Sequence, residues 1–156
     1  MRVGVPKEIR TGEKRVALMP DVINKLTRIG YEVVIESGAG INAQATDKDY
    51  ESAGAKISGD VLSSDVILSV QPLTSEQFKK VKKGAVTISF LSPTASVDSI
   101  NAAASAGATA FSLELVPRIS RAQSMDALTS QALCAGYKAA LVGAELSPRF
   151  FPLLMT

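Results

Sequence analysis

The 156-residue chain has no histidine, no tryptophan, one cysteine and few aromatic residues, and each shortage removes a class of function. Without histidine it lacks the usual metal ligand and the usual acid-base group at neutral pH. Cys134 is the single cysteine, so no internal disulfide forms. Its place among small residues in a helical pattern predicts a packed core thiol rather than a nucleophile. Charge of one sign is also scarce: 17 Lys and Arg against 15 Asp and Glu leave +2. That is too mild to argue for nucleic acid, and no basic stripe is interleaved with aromatics. The uncharged stretches 85–96 and 102–113 are short or broken by Ser, Thr, Pro and Gly, so neither reads as a membrane span. The N-terminus enters a strand pattern with no cleavable apolar segment, which gives a cytoplasmic location as the expectation.

What is present is alternation. Residues 2–5, 31–36, 65–70, 85–90 and 108–115 read as strands, and helical patterns over 20–30, 47–53, 74–81 and 96–106 separate them. Pro20 and Gly30 bracket the first helix, Asp47 looks like the cap of the second, and Thr74-Ser-Glu-Gln77 is a capping box for the third. Lys79, Lys80, Lys82 and Lys83 read as a solvated helix end. This order predicts an α/β fold with a mostly parallel, doubly wound sheet, Rossmann-like but without its own complete dinucleotide fingerprint, ending in a long helix. Gly38-Ala-Gly-Ile-Asn-Ala43 matches Gly-x-Gly-x-x-Ala, yet residues 42–46 carry no helical periodicity. A pyrophosphate cradle needs a strand before that motif and a helix directly after it, so the run reads as a loop.

The last helical pattern runs from about Ser124 to Glu145, with Leu128, Ala132, Ala135, Ala139, Val142 and Leu146 on one side and Leu133, Tyr137 and Leu141 on another. Apolarity on two sides predicts cover from more than one domain. The expected organisation is an α/β domain over 1–123, a connecting helix over 124–147, and an apolar tail over 148–156 leading toward a missing NAD-binding domain or a partner chain.

The chemistry concentrates between Glu114 and Gly136, where a strand, a polar turn and a helix follow one another. The turn gathers Arg118, Arg121, Gln123 and Asp126 within nine residues. Forked guanidinium donors suit a carboxylate, phosphate or amide oxygen, a Gln pairs with another amide, and the Asp can hold one arginine in place. The same residues also read as an Arg and Asp pair capping a surface helix, and spacing alone leaves both open. In a parallel sheet, Arg15, the 90–94 turn and the 118–126 turn fall along one rim.

Four motifs carry a resemblance: Met1-Arg-Val-Gly-Val-Pro-Lys-Glu, Arg15-Val-Ala-Leu-Met-Pro, Glu36-Ser-Gly-Ala-Gly, and Val116-Pro-Arg-Ile-Ser-Arg-Ala-Gln-Ser-Met-Asp-Ala-Leu. Over essentially its whole length the chain resembles the N-terminal domain of the alpha subunit of proton-translocating NAD(P) transhydrogenase. The first three motifs are shared with alanine dehydrogenase, and the fourth is close to diagnostic of transhydrogenase. The resemblance implies an NAD(H)-binding component that passes hydride to NADP(H) on a partner component. It also implies coupling to proton movement through a membrane component, a peripheral position at the inner membrane, and a homodimer. It assigns Arg118, Ile119, Ser120, Arg121, Gln123, Asp126 and Thr129 to the nicotinamide end of NAD(H), with Thr129 standing where the family often has Ser.

Residue chemistry favours the same choice. Oxidising an amino acid moves protons as well as hydride and needs an acid-base group, whereas transfer between two nicotinamides moves hydride alone and tolerates a site without histidine. The alanine dehydrogenase pattern places a lysine near residues 70–72 and a histidine near 91–93, where this chain has Val-Gln-Pro and Leu-Ser-Pro. Arg15, without those partners, reads as structural or as a rim contact. The family continues into a Rossmann domain beyond the last helix, so the 156 residues alone are expected to bind NAD(H) weakly or not at all and to transfer no hydride. A non-catalytic docking module of the same fold is the rival reading, and an amino-acid dehydrogenase the third.

Overall fold

Short β-branched runs and the helices between them build one sheet. The computed structural model describes residues 1–149, and the chain divides into two units, Met1–Leu113 and Glu114–Thr156. The first unit holds strands β1 (Arg2–Val5), β2 (Glu32–Ile35), β3 (Lys56–Ile57), β4 (Val66–Leu68), β5 (Val86–Ser89) and β6 (Thr109–Ser112), with helices α1 (Pro20–Arg28), α2 (Asp47–Ser52), α3 (Ser75–Phe78) and α4 (Val97–Ser105). All strand pairs are parallel, in the order β3-β2-β1-β4-β5-β6. The doubly wound expectation holds, and the direction of winding reverses between β1 and β4.

The helix boundaries follow local chemistry. Pro20 opens α1 with its ring already set at helical φ, Asp21 and the pair Lys25 and Arg28 suit the two ends of the dipole, and Gly30 at φ +86° ends it. Thr74 and Gln77 close the predicted capping box, although α3 stops at Phe78 instead of near 81. Beyond it Lys82 pairs with Asp65, so one of the lysines read as a solvated end ties α3 to the start of β4. In α2 the cap is Thr46, answered by Asp49, and not Asp47. Asp47 turns back to accept from Ser37 Oγ at 2.7 Å and the Gly38 amide at 2.8 Å.

Two clusters fill the faces of the sheet. Val5, Ile23, Val33, Ile35 and Tyr50 pack on one, and Ile67, Leu73, Phe78, Val81 and Ala103 on the other. Each Val, Ile, Leu and Phe among them contributes about 1.5–3 kcal/mol on leaving water. Gly4 admits no side chain: a Cβ there would stand 2.2 Å from the Val61 carbonyl oxygen. β3 is a strand that the sequence pattern does not signal; two residues long and at the edge, it has too little alternation to register.

The second unit contains a 3₁₀ turn over Ser120–Met125 and α5 (Ala127–Leu146). The predicted polar turn is therefore itself helical, and the long helix starts three residues later than its periodicity suggests. Among the described residues no side chain of α5 is buried; Leu133, Tyr137 and Leu146 are exposed. This corrects the expectation for Cys134, which is exposed, because a helical pattern of small residues reports a face that could be covered and not one that is. No helix among the described residues is long and apolar enough to cross a membrane. The predicted apolar tail lies largely outside the described residues.

Candidate functional site

Open α/β sheets bind ligands beyond the carboxyl ends of their strands where the winding reverses. Here that crevice lies between β1 and β4, a cavity of about 450 Å³ whose walls include Glu8, Arg10, Ser69, Gln71, Leu73 and Ser99. Its Glu8, Arg10, Ser69 and Gln71 side chains are engaged with neighbouring groups. Glu8 accepts from the backbone amides of Val70 at 2.5 Å and Gln71 at 3.2 Å. The Gln71 side chain accepts from Arg10 at 2.8 Å and donates to Glu13 at 2.6 Å. Glu13 in turn accepts from Arg15 Nε at 2.7 Å and Nη2 at 2.6 Å. With its side chain 7% exposed and the Arg15 guanidinium against it, Glu13 titrates at about 2. Burial pushes the Glu8 carboxyl above the usual range, opposed by its two amide bonds. Arg15 sits 5.9 Å over the Phe90 ring. The predicted rim is thus real for Arg15 and the 90–94 turn within the first unit, while the 118–126 turn belongs to the second.

That second turn presents the opposite state. Pro117, Arg118, Ile119, Ser120, Ala122, Gln123, Asp126 and Thr129 surround a cavity of about 340 Å³. Ala122 is the buried pivot of the 3₁₀ turn. Asp126 caps α5, accepting from the Thr129 amide at 2.9 Å and its hydroxyl at 2.5 Å. Thr129, with the Arg118 charge nearby, keeps the Asp126 carboxyl below the usual range. Asp126 and Thr129 therefore satisfy the capping reading, and the Thr129 hydroxyl is directed at Asp126. Arg118, Arg121 and Gln123 behave differently: among the described residues their side chains make no hydrogen bond. Arg118, Ile119, Ser120, Gln123, Asp126 and Thr129 meet around the cavity, and Arg121 does not line it.

The glycine run over residues 38–43 has a structural explanation. β2 ends at Ile35, the run coils into a three-residue 3₁₀ turn over Ile41–Ala43, and Gln44 adopts φ +62°. A Cβ on Gly40 would come within 2.6 Å of the buried Tyr50 ring, and Gly38 has φ +73°. No α-helix opens directly from this run and Asp47 already holds the Gly38 amide, so the run does not fit a pyrophosphate. Among the described residues no cluster of His, Cys, Asp and Glu is arranged to hold a metal ion.

Sequence reasoning misses the Glu8 and Gln71 cluster because the partners lie more than 60 positions apart. Only the strand order brings them together, and the short β3 hides that order.

Comparison with known proteins adds to this geometry. Residues 4–135 match the family model described as alanine dehydrogenase/PNT, N-terminal domain. The chain is 42% identical to the first part of NAD(P) transhydrogenase subunit alpha of Rhodospirillum rubrum, covering 100% of this chain and 43% of that protein. It is 34% identical to alanine dehydrogenase of Bacillus subtilis, covering 93% of this chain and 38% of the other. Among solved structures, transhydrogenase from Sinorhizobium meliloti superposes with a TM-score of 0.93 at 40% identity, over 100% of this chain and 48% of that one. An L-alanine dehydrogenase superposes at 0.85 with 30% identity, over 93% and 40%. The chain spans less than half the length of these relatives.

Proposed function

Since the chain belongs to the family of alanine dehydrogenase/PNT N-terminal domains, we propose that it is the N-terminal part of the NAD(H)-binding component of an NAD(P) transhydrogenase. In this reading the 118–129 turn receives the nicotinamide end of NAD(H), which supplies the hydride. One observation carries the proposal: Arg118 and Gln123 border a cavity with their side-chain donors and acceptors free of hydrogen bonds among the described residues, while Asp126 and Thr129 fix the turn by capping α5. A carboxamide and a ribose need such donors and acceptors held in place. Asp126 orients the turn, Thr129 positions Asp126, and Ile119 and Ser120 line the cavity. Arg121 lies outside the lining and reaches cofactor only after the turn rearranges.

The acceptor in this reading is NADP(H) on a partner component, with proton movement through a membrane component, the whole assembled as a homodimer at the cytoplasmic face. Relatives that are subunits of transhydrogenases support this, and the greater distance of the alanine dehydrogenases favours it over amino-acid oxidation. The glycine run's poor fit to pyrophosphate supports placing the grip on pyrophosphate and adenosine outside these 156 residues, which would leave them inactive alone.

The test uses a chain of the relatives' full length. Arg118→Ala and Gln123→Ala should each lower NADH affinity about tenfold to a hundredfold, the loss expected for one or two ligand hydrogen bonds. Unchanged NADH affinity in both variants would overturn the assignment of the turn.

A further inference from the structure

The helices that follow β4 and β5 leave a groove that the proposed function does not use. α3 and α4 lie side by side, and a cavity of about 330 Å³ opens between them. Phe78 and Val81 form its floor at 2% and 7% exposure. Across from them stand Ala102 and Ala106, one helical turn apart, whose methyls leave open the space that longer side chains would fill. The lip is positive. Lys79 lines it, and Lys80, Lys82 and Lys83 follow in the same segment. Two carboxylates answer these four lysines: Glu76 accepts from Lys79 at 2.6 Å, and Asp65 pairs with Lys82. The side chains of Lys79 and Glu76 are 70% and 79% exposed, so their pair opens at little cost. Lys80 and Lys83 are in no ion pair among the described residues. α4 brings no acid to this end, since its one carboxylate, Asp98, lies in the first turn.

We infer that the groove between α3 and α4 is a docking surface for an acidic amphipathic segment of a partner protein. An apolar side chain of that segment enters over Phe78, and its carboxylates meet Lys79, Lys80 and Lys83. Charge complementarity sets the sign of the partner. Depth sets its class: the apolar floor is recessed, so a flat anionic lipid surface would meet the lysines and leave the floor empty, whereas a projecting side chain reaches it. A nucleic-acid strand finds no aromatic face to stack on, because Phe78 is buried. The inference is independent of the role proposed for the 118–129 turn, since every residue in it belongs to the first unit.

The probe is a synthetic helical peptide of glutamates with leucines along one face, titrated into the 156-residue chain and followed by amide resonances. The signals of residues 75–83 and 102–107 should move saturably, and less so as sodium chloride is raised. The same peptide with alanine in place of leucine should bind at least about tenfold more weakly, the loss expected for one buried side chain. Lys79→Glu combined with Lys80→Glu, both at exposed positions, should weaken the leucine peptide about tenfold. Ser105→Phe blocks the groove and leaves its charge unchanged. Ser105 is exposed and its hydroxyl donates to the Asn101 carbonyl of its own helix at 2.8 Å, so the fold does not depend on it. This variant should abolish the shifts at Phe78 and Val81. Equal affinity for the two peptides, or undiminished binding by Ser105→Phe, would overturn the groove as the docking site. Undiminished binding after the charge reversal would overturn the acidic partner. Phosphatidylglycerol vesicles that sediment the chain, with the leucine peptide moving no signal, would assign the lysines to lipid and overturn the inference.

Discussion

The crevice between β1 and β4 and the turn over 118–129 hold similar residues in opposite states. Each has an arginine, a glutamine and a carboxylate lining a cavity. In the crevice Arg10, Gln71, Glu13 and Arg15 engage one another in sequence. In the turn Asp126 and Thr129 engage each other, and the Arg118, Arg121 and Gln123 side chains donate to nothing among the described residues. Residue type therefore does not identify a binding site; the donors left over once the fold has satisfied itself do. Substitutions in the crevice should cost stability, and those in the turn should cost affinity.

The sharpest break should come beneath the crevice. Gly4→Ala would set a methyl against the Val61 carbonyl oxygen, backbone that cannot yield cheaply. It should destabilise the first unit by about 3 kcal/mol or more, read as a lower urea midpoint. An unchanged midpoint would mean that β1 can shift away from the 61–64 segment.

Next comes the pH dependence of the crevice. Glu13 titrates at about 2 when folded, against an ordinary 4.5. Its contribution is fully present above the ordinary value and is lost as pH falls through the folded one. The full shift corresponds to about 3 kcal/mol, and screening through the 42% exposed Arg15 partner trims this to about 1–2 kcal/mol. Glu8 has the opposite sign. Its raised pKa lets the folded chain bind a proton before the unfolded chain does, so its contribution grows as pH falls toward the ordinary range and offsets part of the Glu13 loss. Urea denaturation from pH 7 to 3 should show the decline, and Glu13→Gln should flatten it; an equal slope in that variant would assign the loss to other carboxylates.

In the turn the pattern should invert. Arg118→Ala should move stability by no more than about 0.5 kcal/mol, as for other exposed positions without internal hydrogen bonds, while weakening NADH binding in the full-length protein. Asp126→Ala, which removes the α5 cap, should lower the melting temperature as well as the affinity. Thr129→Ser, which keeps the hydroxyl that Asp126 accepts from, should change both least. A large stability loss for Arg118→Ala would erase the contrast between the two regions.

Local signals are legible in the sequence and distant ones are not. Pro20 and Gly30 each act on the helix end beside them, Thr74 and Gln77 act within a single turn, and the helices start where Pro20 and Thr74 place them. The Gly38–Ala43 run is readable as a loop because it lacks a helix, although its packing against Tyr50 appears only in three dimensions. β3 escapes because two residues carry no period, and without it the strand order and the crevice stay hidden. The turn's membership is mostly legible, but the exclusion of Arg121 from the cavity depends on how a 3₁₀ turn rotates successive side chains. Cys134 and the apolar sides of α5 read as buried because periodicity reports what a helix could cover.

The most direct measurement is a titration of the 156-residue chain, followed by amide resonances, with reduced nicotinamide mononucleotide and separately with AMP. The mononucleotide should move the signals of Arg118, Ser120 and Gln123, weakly but saturably, and AMP should move none. A response to AMP at Gly38–Ala43, with the 118–123 signals still under both ligands, would contradict the assignment of the nicotinamide end to the 118–129 turn.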